Sequence, residues 1–265
     1  MKRIELFEFE DHPRFPSWLR DLMTAYLGAF HRTFRTAPAV ADLVRKALAA
    51  SPTKRVVDLC SGGGGPMPDV ARELRSEPGH AEVEIVLSDL YPNTVVAGQI
   101  AALGDPRLRY EPTPVDATRV GPEQSGVRTL VGSFHHLSPE AARAVLLDAA
   151  KARQPLVVFE LSDNGPPLWL WWTAIPASFL LALFITPFVR PLSFRQLLFT
   201  YVLPVVPLFI AWDGAASNAR TYTPDDVREL LRGHEDAGYT WEIGVCRAGR
   251  LPGNSVYVLG RPVAS

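Results

Sequence analysis

The chain has 265 residues, 47% hydrophobic and 21% charged, with Lys+Arg 27 against Asp+Glu 28 and a formal net charge of −1. This profile excludes a disordered or fibrous protein and fits one globular α/β-sized domain with decorations, long enough to bury a substantial core. Near-neutral charge excludes the long-range positive field of a general nucleic-acid binder, and no local basic patch replaces it, so no nucleic-acid partner is expected. Two cysteines, Cys60 and Cys246, lie far apart without metal-ligand spacing, which excludes a disulfide scaffold and a zinc ribbon and points to a reducing compartment. Met1-Lys2-Arg3 is followed by Glu5, Glu8, Glu10 and Asp11 instead of an apolar run, so no signal peptide is read and a cytoplasmic location is expected.

Residues 1–50 read as a helical lid. Over 15–27 the pattern places Trp18, Leu22, Tyr26 and Leu19, Met23, Leu27 on one side at helical spacing, and Pro38 opens a second amphipathic helix that runs to Leu48. The pattern then changes. Strand-like runs at 55–59, 83–87, 108–110, 127–131 and 155–159 alternate with helix candidates at 66–76, 93–104 and 138–151, which predicts a parallel sheet with helices on both faces over a core of residues 51–163. Alternation stops over 164–220, a largely apolar insertion. It resumes over 221–265 with a helix capped by Thr223 and opened by Pro224, followed by strand patterns at 239–246 and 254–259 that are expected to pair antiparallel.

Val56-Val57-Asp58-Leu59-Cys60-Ser61-Gly62-Gly63-Gly64-Gly65-Pro66 is the most informative segment: a buried strand ends in an acid, turns through four glycines and enters a helix. Such glycines take positive φ and let a ligand approach the backbone. Asp89 ends the next strand about thirty residues on, where doubly wound folds place a carboxylate on ribose hydroxyls. Pro66 and Pro68 remove two amides that a pyrophosphate would need, which favours a nucleoside ligand over a dinucleotide.

These residues resemble the class I S-adenosylmethionine-dependent methyltransferases, over residues 55–163 and 221–262. The resemblance implies a doubly wound, mostly parallel seven-stranded Rossmann-like sheet ending in an antiparallel hairpin, with S-adenosylmethionine as cofactor. It assigns Asp58, Cys60, Gly62 and Gly64 to the amino-acid part of the cofactor, with Cys60 standing where the family's first glycine usually is. Asp89 with Leu90 is assigned to the ribose, Asp116 with Ala117 to the adenine, and Phe134 to the cofactor wall. Phe134-His135-His136-Leu137 matches the segment after the fourth strand in relatives that act on quinones, lipids and small molecules.

Methyl transfer needs an aligned nucleophile, exclusion of water and, for an oxygen nucleophile, a proton acceptor. His135 and His136 are candidates for the base or a substrate hydrogen bond, against a reading in which they only shape the pocket rim. Glu160 either orients the substrate or caps a neighbouring helix. Asp213 and Arg220 either pair with each other or frame the acceptor, with Asp213 a third catalytic candidate and Arg220 and Tyr222 substrate contacts. No His and carboxylate spacing suggests a metal ligand set.

Within the insertion no charge appears from Asn164 to Val189 or from Gln196 to Trp212, with Arg190 and Arg195 between, and Trp169, Trp171, Trp172 and Trp212 mark its outer ends. The first run is long enough to cross a bilayer. The two arginines and repeated helix-breaking prolines (Pro176, Pro187, Pro204, Pro207) favour, over a transmembrane hairpin, an apolar lid over the active site or a re-entrant or surface-lying hairpin at the inner face of the membrane, beside the reading of an ordinary subdomain packed on the N-terminal helices. The expected function is methylation of a hydrophobic or lipid-like small molecule. Competing readings are another reaction of S-adenosylmethionine, such as cyclisation, and a membrane-attached binding protein without turnover.

Overall fold

The structure, a computed structural model, describes residues 1–263. In chain order it contains α1 (Ser17–Phe34), α2 (Ala37–Leu48), β1 (Arg55–Asp58), α3 (Met67–Arg75), β2 (Glu84–Leu87), α4 (Thr94–Ala101), β3 (Leu108–Tyr110), β4 (Val127–Val131), α5 (Pro139–Lys151) and β5 (Leu156–Glu160). After these come α6 (Ala174–Ile185), α7 (Phe194–Leu197), α8 (Val205–Arg220), α9 (Pro224–Leu231), β6 (Tyr239–Cys246) and β7 (Ser255–Pro262). The seven strands form one sheet in the order β3-β2-β1-β4-β5-β7-β6. Strands β1 to β5 are parallel, and β7 enters antiparallel between β5 and β6, with Val158 opposite Val258 and Gly244 opposite Tyr257. The expected alternating core and closing hairpin are both present. The central strands are apolar runs without alternation because both faces are covered, and each fully buried valine such as Val56 or Val57 contributes about 1.5–3 kcal/mol.

One face of the sheet is filled from α2, α3 and α4 by Val40, Val44, Met67, Leu74 and Ile100. The other is filled from α5 and α9 by Leu146, Leu230 and their neighbours around Leu130. Ser138 caps α5 through the Ala141 amide, and Thr223 with Asp226 forms a reciprocal capping box on α9, so the predicted start of that helix is found with Pro224 as its first residue.

The N-terminal helix is longer than its pattern suggested, and two of the six residues assigned to its inner side, Trp18 and Leu27, are exposed. A stripe six residues wide exceeds the arc that a helix can bury, so its flanks face solvent. Leu19, Met23 and Tyr26 pack instead with Ala182, Ile185, Val206 and Ile210 of the insertion, forming a third core. Of the four prolines expected to break helices in the insertion, Pro204 does lie at a break, whereas Pro176 and Pro207 do not interrupt theirs. A helical run extends from Trp169 to Phe188 through Pro176, and only the second limb is bent, by 78° between Phe194–Val202 and Val205–Arg220. Pro176 and Pro207 each lie in the first turn of a helix, where no amide partner is lost.

Candidate active site

The sheet order reverses between β1 and β4, and the carboxyl ends of the strands on either side of that switch carry the polar residues. On the β1 and β2 side the loop 59–66 takes left-handed backbone at Cys60 (φ 55°), Gly62 (47°), Gly64 (84°) and Gly65 (46°). Cys60 therefore adopts the conformation of the glycine it replaces, at a cost of about 1 kcal/mol. Gly63 serves close packing: a Cβ there would collide with the Thr24 methyl, which seats α1 on the loop.

Asp58 is buried beneath this loop. Ser61 Oγ donates to its Oδ2 at 2.6 Å and Thr129 Oγ1 to its Oδ1 at 2.6 Å, so it braces the loop to β4, and burial pushes its carboxyl up to about 7. Asp89 stands half-buried at the rim, accepting the Gly62 amide at 2.9 Å and the Tyr91 amide at 2.9 Å, with Leu90 exposed beside it. Tyr110 donates its hydroxyl to Gly62 O at 3.2 Å. The segment after β3 is tied in by Val115 N donating to Asp89 O at 2.9 Å. There Asp116 is exposed and accepts from Thr118, and Ala117 is buried. Burial, reinforced by the charges of Asp89, Asp58 and Asp116, pushes the Cys60 thiol up to about 12 and leaves it a packed thiol.

On the β4 and β5 side Glu160 ends its strand in the interior. Its Oε1 accepts the amides of Phe134 (2.8 Å) and His135 (3.1 Å), and its Oε2 lies 2.7 Å from His135 Nδ1. Glu160 thus caps the turn that carries the histidines, the second of its two readings, and does not face a substrate. Phe134, expected at the cofactor, and Tyr222, expected at the substrate, are both fully buried and packed on each other, and the Tyr222 hydroxyl donates to Leu137 O.

Residues 3–11 lie across this region as an arm. Asp213 accepts the amides of Phe9 at 2.9 Å and Glu10 at 3.2 Å, while Arg220 donates to Asp11 Oδ2 at 2.7 Å and to His136 O at 3.0 Å. The two residues do not pair with each other. Both are buried anchors for the arm, so neither Asp213 as base nor Arg220 as head-group contact fits this arrangement. Burial raises the Asp213 carboxyl to about 7. His136 Nδ1 sits 2.9 Å from Asp11 Oδ1 and 3.3 Å from Glu8 Oε2; although burial disfavours its charge, these acids and Glu10 hold its ring cationic to about 9. Glu8 and Asp11 are site residues that sequence reasoning missed. The available signal was the run Glu5 to Asp11, in which acids interleave with Phe7 and Phe9.

A hollow lined by Lys54, Arg55, Glu82 and Glu84 lies at the opposite edge of the sheet, away from all these groups.

No protein-family model and no curated protein sequence matches the chain. Among solved structures it is similar to the mitomycin 7-O-methyltransferase MmcR, with a TM-score of 0.57 and 17% identity, over 97% of this chain and 61% of that one. It is similar to the plantazolicin methyltransferase BpumL, solved with SAH, at a TM-score of 0.50 and 10% identity over 93% and 98% of the two chains. A protein from Rhodobacter sphaeroides named among Zn-dependent alcohol dehydrogenases also matches, at 0.50 and 14% over 91% and 98%. The chain spans about half the length of other relatives, 55% of LaPhzM and 50% of NcsB1. Identities this low show architecture and not reaction. With its strand order, its antiparallel β7 and its acid-tipped glycine loop, the chain has the fold of the class I S-adenosylmethionine-dependent methyltransferases.

Proposed function

We propose that the protein is an S-adenosylmethionine-dependent methyltransferase acting on a hydrophobic small molecule. The observation that carries this reading is the left-handed glycine loop at the switch point, braced from beneath by Asp58 through Ser61 and held at its rim by Asp89, which accepts the Gly62 amide. The negative field of these acids suits a ligand bearing a sulfonium and an ammonium and repels a pyrophosphate. The residues present fit the cofactor: Asp89 stands at the rim with a carboxylate able to accept two ribose hydroxyls, and a Cβ at Gly62 or Gly65 would meet nothing within 4 Å, so the loop borders open space. Bound there, the cofactor supplies an electrophilic methyl group. The chain's own part is to orient it through the loop and Asp89, to cover it with α1 through Thr24 on Gly63, and to set the acceptor against the His135 and His136 turn.

An apolar acceptor is supported by the insertion, whose outer face carries Trp169 (71% exposed), Phe184 (73%), Phe188, Phe194 and Val202. Its inner face packs on α1, so it is at once a subdomain of the lid and an uncovered apolar surface. We read that surface as lying in the cytoplasmic membrane interface, where aromatic side chains anchor and apolar acceptors reside.

Two measurements test the proposal. Calorimetry with S-adenosylmethionine is expected to show binding that falls at least tenfold in Asp89→Ala, because a charge-assisted acceptor for two hydroxyls is worth about 2–4 kcal/mol; unchanged binding in that variant removes the nucleotide assignment. Incubation with labelled cofactor and a lipid extract is expected to release S-adenosylhomocysteine. Methylthioadenosine instead would indicate cyclisation, and binding without either product a non-catalytic protein. Sedimentation with anionic vesicles, weakened by Phe184→Ser with Phe188→Ser, checks the membrane contact, and failure to sediment refutes it.

A further inference from the structure

Glu8 lies more than 120 positions from the adjacent His135 and His136, yet one ligand-type atom of each of the three lies within 4.8 Å of the others. Three features go beyond proximity. First, His135 is aimed: its Nδ1 lies 2.7 Å from Glu160 Oε2, so the tautomer that Glu160 favours has its hydrogen on Nδ1 and its lone pair on Nε2. A carboxylate behind a histidine, fixing tautomer and ring angle, is the outer-shell arrangement of metal-binding histidines. Second, the lone pair points at another acceptor, because Nε2 faces Glu8 Oε1 at 3.9 Å and has no hydrogen-bond partner among the described residues. Two acceptors facing each other at that separation repel unless a cation stands between them.

Third, Glu8 is 2% exposed and His135 6% exposed, and neither oxygen of Glu8 makes a hydrogen bond. Arg220 approaches Oε1 at 3.3 Å and His136 Nδ1 approaches Oε2 at 3.3 Å, close in charge but without hydrogen-bond geometry. The charge of Glu8 is thus compensated while neither oxygen has a directed partner, and an ion bound to it would supply the missing coordination.

From this geometry we infer a divalent-metal site formed by Glu8, His135 Nε2 and His136 Nδ1, with Glu160 positioning His135 and the ion displacing to solvent the proton that His136 Nδ1 shares with Asp11. Ligands at about 2.0–2.2 Å from a common ion lie roughly 3–4.4 Å apart, which brackets the 3.3 and 3.9 Å separations found. Two imidazoles and one carboxylate select a borderline transition ion such as zinc, iron(II) or cobalt(II) over calcium or magnesium. Three protein ligands leave at least one coordination position for a water or an acceptor oxygen, the pattern of a reactive rather than a closed structural centre. The Glu8 ligand comes from the arm that Asp213 and Arg220 anchor, so binding of the ion and closure of the arm are one event.

The site stands independently of the methyl-transfer reading, and its test uses the metal alone. The full chain, stripped with chelator and dialysed, is titrated with zinc followed by calorimetry, and with cobalt(II) followed by absorption and proton NMR. One equivalent is expected to bind, weakened at least tenfold in Glu8→Gln and His135→Ala and retained in Cys246→Ser. In the unmodified protein, cobalt is expected to shift two exchangeable imidazole protons, His135 Nδ1–H and His136 Nε2–H, a readout that holds even if a variant fails to fold. No stoichiometric ion, which would leave protons alone to fill the cluster, overturns the inference; so does an ion that survives both substitutions or shifts no imidazole proton.

Discussion

The two halves of the sheet's carboxyl edge are built in opposite ways. On the β1 and β2 side every polar group lies within 59 consecutive positions, from Asp58 to Asp116, and each is placed by the strand it ends or the loop it follows. On the β4 and β5 side the groups come from the arm (Glu8, Asp11), the turn after β4 (His135, His136), the tip of β5 (Glu160) and the end of α8 (Asp213, Arg220). The first half is a local motif that exists once the strands pair. The second exists only when the arm and the insertion have docked, and its contacts are ionic and mostly buried. A locally built site tolerates change through backbone geometry, whereas an assembled one stands or falls by charge compensation.

The sharpest way to break the contrast is to remove the guanidinium of the assembled half. Arg220→Ala leaves Glu8 and Asp11 with His136 as their one remaining cation and frees the His136 carbonyl, and a loss of about 3 kcal/mol is expected in urea unfolding, since buried charge is left under-compensated. A loss below about 1 kcal/mol would mean that the arm contributes little to holding this half together.

Next in size is a pH effect confined to the same half. His136 is held cationic to about 9, above its unfolded value of about 6.5. Its contribution is therefore fully present below about pH 6.5 and is lost as the pH rises through 9. In chelator-containing buffer, the stability of the parent chain relative to His136→Gln is expected to fall by about 2 kcal/mol between pH 6 and pH 9.5. A constant difference across that window would show that the ring is not ion-paired with Asp11, Glu8 and Glu10.

The local half should respond less, and through packing. Gly63→Ala forces the loop off Thr24 and is expected to cost about 1–2 kcal/mol, with Thr24→Ala in the same chain recovering most of it, as a double-mutant cycle would read. Full additivity of the two changes would show that α1 does not bear on the loop. The smallest effect is expected at Cys60→Gly. Relief of the left-handed strain is offset by the greater freedom of glycine in the unfolded chain, for a net change within about 0.5 kcal/mol.

The same division sets what the sequence could disclose. Hydrophobic runs and turn residues located the seven strands, the capping box on α9 and the acids at the ends of β1 and β2, because each depends on residues within a few positions of one another. The pairing of Asp58 with Thr129 was out of reach, since a hydroxyl one strand over leaves no trace near the acid. The arm was read as too acidic for a signal peptide and as part of a helical lid over residues 1–50; nothing within residues 1–15 indicates that Glu8 ends against a turn at 134–136. Asp213 and Arg220, seven apart on α8, lie two turns apart, and each was captured by the arm in preference to the other. Pro176 and Pro207 misled because the effect of a proline depends on position within a helix, and helix starts in an apolar run carry no capping signature.

The place of β7 bears on how the chain reaches this state. Leu156–Glu160 of β5 is buried along its whole length, and its outer edge pairs only with the final strand, Leu156 opposite Gly260 and Glu160 opposite Val256. While the chain is being synthesised, an apolar parallel strand in the middle of the sheet therefore keeps an open edge until residues 255–262 emerge, and the apolar insertion is already exposed beside it. Such an edge is a template for pairing with a second nascent chain. Truncation before β7 is thus expected to produce an aggregating polypeptide, even though every residue placed at the cofactor loop would still be present.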